Sequence, residues 1–266
     1  MITQLNNRVL LRLSGSDVQG FLQGQFSNDI AKLEEGIAQL NAYCQHQGKI
    51  MALIWVMKKA NEYYLSFPED LSTDIVKKLT MFKMMSDVTI IDVSNEVIQL
   101  GVIDEIVNGA FKLNDQQSVV LTESIDGLEL NDEVHWKMSC IDNEVPEVEL
   151  ITVEKFVPQL LNLDINEVGV SFTKGCYPGQ EVVARLHYLG KSKRRMRAFE
   201  CEGDTSVGDE LIAVNSTSAK ASGIVVRCVK LNDKSLCLAT VEINYEDDEI
   251  TLNNAQHTKL TRIHDD

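Results

Sequence analysis

Along the first hundred residues the apolar positions switch between strand-like and helical spacing. Val9-Leu10-Leu11-Arg12-Leu13 is an apolar run of strand length, and residues 14–17 supply turn and cap side chains. Val18, Phe21, Leu22 and Phe26 then recur as on a short helix. Residues 38–44 and 49–58 are strand-like, with Gln47-Gly48-Lys49 between them as a hairpin requires. Residues 63–67 form another strand. Pro68-Glu69-Asp70 opens a helix to about Lys83, on which Leu71, Ile75 and Leu79 lie four apart. Residues 88–93 and 97–102 are strand-like again, whereas 104–150 mix short apolar and acidic stretches without a clear period. Residues 155–164 read as a loop that packs its leucines into the core. After Arg195 the texture changes to short strands at 196–201, 210–214, 223–229, 236–243 and 257–263, separated by turn signals, as in a small antiparallel barrel. The pattern predicts an α+β region over 1–190 and a β-barrel over 191–266, with the boundary near Gly190.

A chain of 266 residues has room for two or three modest domains. No apolar run approaches the length of a membrane span, and the first residues lack the basic-then-apolar layout of a secretory signal, so a cytoplasmic, membrane-free protein is expected. Six cysteines are scattered without Cys-x-x-Cys spacing, which argues against a zinc or iron–sulfur ligand set and against a disulfide framework; no metal site is expected. The formal net charge of −15 disfavours strong direct nucleic-acid binding. Lys191-Ser192-Lys193-Arg194-Arg195-Met196-Arg197 runs against that balance; it is either a contact for a polyanion or a solvated strand edge or linker.

The chemistry concentrates at Ser171-Phe172-Thr173-Lys174-Gly175-Cys176-Tyr177-Pro178-Gly179-Gln180-Glu181. The stretch follows Val168 and Val170 and reads as the end of a strand, which would put Lys174 and Cys176 on one face. An ammonium beside a thiol stabilises the thiolate. Tyr177-Pro178-Gly179-Gln180 has the proline-glycine centre of a type II turn, and Glu181 opens a helical pattern that Gly190 stops. A cysteine of this kind is either a small buried hydrophobe or a reactive thiol.

Lys174-Gly175-Cys176-Tyr177-Pro178-Gly179-Gln180-Glu181 resembles the Lys-Gly-Cys-Tyr/Phe-x-Gly-Gln-Glu signature of the YgfZ-type folate-binding proteins, relatives of the glycine-cleavage aminomethyltransferase. Phe21-Leu22-Gln23-Gly24-Gln25-Phe26-Ser27-Asn28-Asp29 resembles the family's N-terminal helix, and Cys44-Gln45-His46-Gln47-Gly48-Lys49-Ile50 its hairpin. Phe156-Val157-Pro158-Gln159 with Asn162-Leu163 resembles the lead into the signature, and Val182-Val183-Ala184-Arg185 continues it. The resemblance implies an α+β fold: a ring-like three-domain aminomethyltransferase-type arrangement, with two interleaved α+β subdomains and a C-terminal antiparallel β-barrel. It also implies tetrahydrofolate or a derivative as cofactor, iron–sulfur client enzymes as partners, and a role in tRNA modification by thiomethylation. Cys176 takes the place of the functional cysteine and Lys174 that of the signature lysine. Asp142, in Cys140-Ile141-Asp142-Asn143-Glu144-Val145-Pro146, stands where the family has its pterin-binding glutamate, or is a plain loop acid. Asn28 would help hold the pterin, and Arg185 the glutamate tail.

These residues support an accessory protein that binds folate and uses Cys176 on behalf of iron–sulfur enzymes. The alternative is a folate-dependent one-carbon transferase. Ala52 and Leu53 argue against it, because they stand where the aminomethyltransferase has carboxylates and neither transfers a proton. A third reading is a binding scaffold in which Cys176 only packs. A cysteine protease is the weakest, since His46, His135 and His187 come with no partner motif.

Overall fold

A computed structural model describes residues 1–216 and 221–263. The chain begins with β1 (Ile2–Gln4), β2 (Arg8–Ser14), α1 (Val18–Gln25), β3 (Ala38–Cys44), β4 (Ile50–Lys59), β5 (Glu62–Pro68), α2 (Ser72–Phe82) and β6 (Thr89–Asp92). It continues through β7 (Ile98–Ile103), β8 (Phe111–Lys112), β9 (Gln117–Thr122), α3 (Glu133–Asp142) and α4 (Gln180–Leu189). It ends with β10 (Arg194–Glu202), β11 (Glu210–Ala213), β12 (Gly223–Leu231), β13 (Lys234–Glu242), β14 (Ile250–Leu252) and β15 (Lys259–Arg262). A five-stranded sheet has the order β3-β4-β5-β2-β6, a four-stranded sheet the order β1-β7-β9-β8, and β10-β13-β12-β11-β14-β15 close into a barrel. All the strand pairs within them are antiparallel.

Strand β4 shows why the sequence folds this way. Its run Ile50-Met51-Ala52-Leu53-Ile54-Trp55-Val56-Met57 is buried throughout because both faces of the sheet are covered. Ile54 and Val56 meet α1 and α2 through Leu22, Ile75 and Leu79. Trp55 and Met57 face the other way, onto Trp136 and Cys140 of α3 and onto Ile103 and Val119 of the four-stranded sheet. A third cluster joins the β3–β4 hairpin to the barrel: Cys44, Ile50 and Leu53 pack with Phe156, Leu161, Leu163 and Val170, and these with Met196, Val226 and Leu238. The predicted leucine-rich loop is this connector, a single 3-10 turn at Pro158–Leu161 flanked by buried side chains.

Three local expectations change. The segment 171–176 is irregular rather than the end of a strand. The basic run is no edge or linker, because from Arg194 onward it is β10, bonded to β13 and β15 inside the closed barrel. Its arginines are paired: Arg194 with Glu242, Arg195 with Asp164, and Arg197 with Glu246. Lys191 and Lys193 stay exposed. Residues 104–150, which carried no clear period, supply β8, β9 and α3.

A charged contact ties the units together. Glu147, just after α3, binds Arg8 of β2 through one carboxylate oxygen and Arg227 of β12 through the other, the latter at 3.0 Å. Arg8 also lies 3.7 Å over the Trp55 ring and donates from Nε to Ser66 Oγ at 2.8 Å. Burial by itself would raise the Glu147 carboxyl, but the Arg227 and Arg8 guanidiniums outweigh it and hold the group below its usual value of 4.5. A carboxyl depressed in the folded state stabilises the fold above its unfolded pKa, and that contribution disappears as pH falls through the folded value. Glu147→Gln is therefore expected to lower unfolding free energy by about 3 kcal/mol at pH 7. Urea titrations of both proteins should show the difference shrinking below pH 4.5; a constant difference would contradict the pairing.

Candidate functional site

The four motifs singled out in the sequence converge around the turn that starts α4. Gly179 has φ 81° and ψ −1°, and Gln180 N donates to Tyr177 O at 3.2 Å, which is the predicted type II turn. A Cβ on Gly179 would lie 2.5 Å from Gln45 O and 2.7 Å from Gly48 Cα, so only glycine lets the β3–β4 hairpin tip pack this closely. Gly48, at φ 75°, forms that tip. Upstream, Ser171 N donates to Ser27 O at 3.0 Å, and Ser27 Oγ donates to Gly169 O at 2.6 Å.

Lys174 and Cys176 fall into opposite environments. The Lys174 side chain enters the protein and its Nζ donates to Gln23 O at 2.6 Å and to Phe26 O. These carbonyls lie at the end of α1, where a helix leaves acceptors without internal partners and where its dipole favours a cation. The ammonium also lies 5.1 Å from the centre of the Tyr177 ring. Burial lowers the Lys174 pKa to about 8, with Asp29 opposing the shift. Cys176 is exposed, whereas the other five cysteines are buried or half-buried; burial pushes Cys44, for example, up to about 12. The structure thus places Lys174 on a helix end and Cys176 at the surface. Beside them Phe172 stacks on His187 with ring centres 3.7 Å apart.

A cavity of about 400 Å³ borders the chain just upstream of this segment, at Ile165, Asn166 and Val168. Ile37, Leu40, Leu161, Leu163, Ile165 and Val168 give it apolar walls, and Asn143, Glu144 and Asn162 are among its polar groups. Glu144 and Asn162 have φ of 50° and 59°. Asn162 Nδ2 donates to Met196 O at 2.9 Å and to Glu144 Oε2 at 3.4 Å, while its Oδ1 is buried with no hydrogen-bond partner. Glu144 thus sets a carboxylate on the wall of a largely apolar pocket, which suits a ligand edge rich in N–H donors.

The remaining candidates do not line this cavity. Asp142 is exposed at the end of α3. Asn28 is buried and its Nδ2 donates to Leu40 O at 3.1 Å and Val168 O at 3.3 Å, so it braces two wall residues from behind. Arg185 is exposed on α4. Ala52 and Leu53 are buried apolar residues of β4. Glu144 was missed in the sequence, where nothing set it apart from Asp142; its left-handed backbone, φ 50°, shows only in the structure. Among the described residues no group of three or more His, Cys, Asp or Glu is arranged to hold a metal, and no helix is long and apolar enough to cross a membrane.

The architecture is that of the aminomethyltransferases. The glycine cleavage system aminomethyltransferase T of Bartonella henselae superposes over 99% of this chain and 84% of its own, with a TM-score of 0.69 at 11% identity. No family model matches the chain. An uncharacterized protein of Haemophilus influenzae is 32% identical over 251 residues, covering 90% of this chain and 88% of its own length. A tRNA-modifying protein YgfZ of Aliivibrio fischeri is 27% identical over 280 residues, covering 93% and 86%. The chain belongs to the YgfZ-type, GcvT-like family.

The placement of Lys174 yields a pH-dependent expectation. Its folded pKa of about 8 lies below the unfolded value of 10.5, so between these values the unfolded chain keeps a proton that the folded chain has released. Stability from this group therefore rises with pH across that window. Lys174→Met should lose roughly 1–3 kcal/mol at pH 7, since two helix-end carbonyls lose their donor. Relative to that variant, the unmodified protein should gain stability from pH 8 to 10.5 in denaturant titrations. A flat difference would mean that the lysine is solvated.

Proposed function

We propose that this protein binds tetrahydrofolate or a derivative in the cavity behind the signature loop and acts through Cys176 as an accessory factor for iron–sulfur enzymes of tRNA modification. The observation that carries the ligand reading is the Glu144 carboxylate, two acceptor oxygens on the wall of a largely apolar pocket, steadied by Asn162 Nδ2. The pterin edge presents an amino group and a ring N–H to such acceptors, and its flat ring suits walls of leucine and valine. Glu144 would hold that edge, with Asn162 orienting its carboxylate, Asn28 fixing the wall and Asp142 as the alternative carboxylate. Arg185, Lys191 and Lys193 are exposed and available to a polyanionic tail. The Aliivibrio relative's name, a tRNA-modifying protein, supports the tRNA context. Cys176 is the thiol that a client or one-carbon unit would meet, because it alone of the six is exposed. A cytoplasmic setting keeps it reduced.

A one-carbon transferase is the second reading, favoured by the superposition on aminomethyltransferase T. Ala52 and Leu53 weigh against it, since a buried apolar pair takes no proton from a folate nitrogen.

Calorimetric titration with tetrahydrofolate is expected to show saturable binding. Glu144→Gln should weaken it about tenfold or more, the equivalent of one charge-assisted hydrogen bond. Asp142→Ala should leave it near the unmodified value; the reverse ranking would move the pterin carboxylate to Asp142. Absence of saturable binding to the unmodified protein would remove the folate reading. Cys176→Ala should bind folate normally yet fail to complement a strain lacking its own family member, and full rescue would leave the thiol without a role.

A further inference from the structure

The barrel carries a pair of thiols that the folate reading does not use. Cys228 of β12 and Cys237 of β13 are register partners across an antiparallel ladder. The hairpin between these strands has the two-residue loop Asn232-Asp233, closed by the pair Leu231 and Lys234, and Asn232 has φ 50°. A loop of this length is flanked by a hydrogen-bonded pair, and hydrogen-bonded and non-hydrogen-bonded pairs alternate from there. Counting back in register, Lys230–Ser235 is non-bonded, Val229–Leu236 bonded, and Cys228–Cys237 non-bonded. Non-bonded partners approach to about 4.5 Å between Cα atoms. That separation lies at the short end of the roughly 4.4–6.8 Å that a disulfide spans.

Direction and access agree with register. Cys237 lies in the barrel's interior cluster, Cys228 packs against that cluster, and their neighbours Val229 and Leu236 face the other core, so both sulfurs point inward. Cys237 is fully buried, whereas Cys228 is half-buried and lines a cavity of about 380 Å³ with Lys137, Glu149, Val207 and Arg227. One thiol is therefore reachable by a small molecule and the other waits behind it.

We propose that Cys228 and Cys237 are a redox-modification site that closes to a cross-strand disulfide on exposure to hydroperoxide. The Cys228 sulfur attacks one peroxide oxygen, breaking the O–O bond and leaving a sulfenic acid and one water. The Cys237 sulfur then attacks the sulfenic sulfur; the S–S bond forms and the hydroxyl departs as water with the Cys237 proton. Two thiols lose two electrons and the peroxide gains them. Burial, then Glu149, raises the Cys228 thiol, so the reaction is slower than at a free cysteine and the link accumulates on prolonged exposure. Arg227, the barrel's half of the Glu147 contact, adjoins Cys228 in sequence, so oxidation occurs beside the charges that join barrel to sheet.

Peptide mapping tests this directly. The folded, reduced protein is treated with hydrogen peroxide, remaining thiols are alkylated after denaturation, and trypsin cuts after Arg227, Lys230 and Lys234, so the two cysteines fall on separate peptides unless bonded. The expected product is a linked Cys228–Cys237 peptide that dithiothreitol resolves. The linked peptide should persist in Cys201→Ser and vanish in Cys228→Ser, with Cys237 then recovered fully alkylated. Recovery of Cys237 as a free thiol while Cys228 is oxidised to sulfinic acid would overturn the proposal. So would a dominant Cys201–Cys237 link, or no change at Cys228 under conditions that oxidise Cys176.

Discussion

One carboxylate holding two guanidiniums from different parts of the chain sets the geometry of the whole molecule. Glu147 follows α3, Arg8 belongs to the five-stranded sheet and Arg227 to the barrel. Apolar clusters alone would press these units together without fixing their mutual rotation, since hydrophobic contact has little direction. A carboxylate hydrogen-bonded to Arg8 through one oxygen and ion-paired to Arg227 through the other restricts it, at the cost of desolvating three charges. The Trp55 ring under Arg8 and the Ser66 hydroxyl beside it hold the guanidinium in one plane, so the contact is oriented as well as neutral in its inner pair.

The site inherits that rigidity and adds its own. Lys174 caps the end of α1, Ser171 bonds the backbone of Ser27, and Gly179 lets the Gly48 hairpin tip approach within van der Waals range of the α4 turn. Three stretches far apart in sequence thereby meet at one loop. The signature lysine and Gly179 are explained by this convergence. The exposed Cys176 is not: no packing or hydrogen-bonding requirement calls for a thiol there, and a surface cysteine without a structural duty is the residue most available for chemistry.

How much of this was legible depended on how local each cause is. β4 could be read because both its faces are apolar over a long run, and the type II turn because Pro178 and Gly179 encode it by themselves. β1 and β14, of three residues each, could not, because their pairing with β7 and with β11 and β15 decides them. α3 was hidden because Trp136, Ser139, Cys140 and Ile141 bury two adjoining sides and blur its period. Neighbouring positions in an assumed strand suggested that Lys174 would face Cys176. The nearer acceptors are at the end of α1, brought there by tertiary structure, and a buried ammonium goes to carbonyls before a thiol. Glu144 lay in plain sight two residues from Asp142, but only its left-handed backbone turns that loop so that Glu144 and not Asp142 borders the cavity.

None of residues 169–181 lines the cavity, so a ligand there can influence Cys176 only through the intervening chain. Val168 borders the cavity and its carbonyl accepts from Asn28; Gly169 accepts from Ser27; Ser171 donates to Ser27; Lys174 reaches Phe26. Every second or third residue from the cavity wall to the cysteine is thus bonded to the same short stretch, Phe26-Ser27-Asn28. A ligand that displaces Val168 therefore works against a continuous set of hydrogen bonds. Coupling between folate and Cys176, where it exists, runs through Phe26-Ser27-Asn28, which makes that stretch part of the site although none of its side chains borders the cavity.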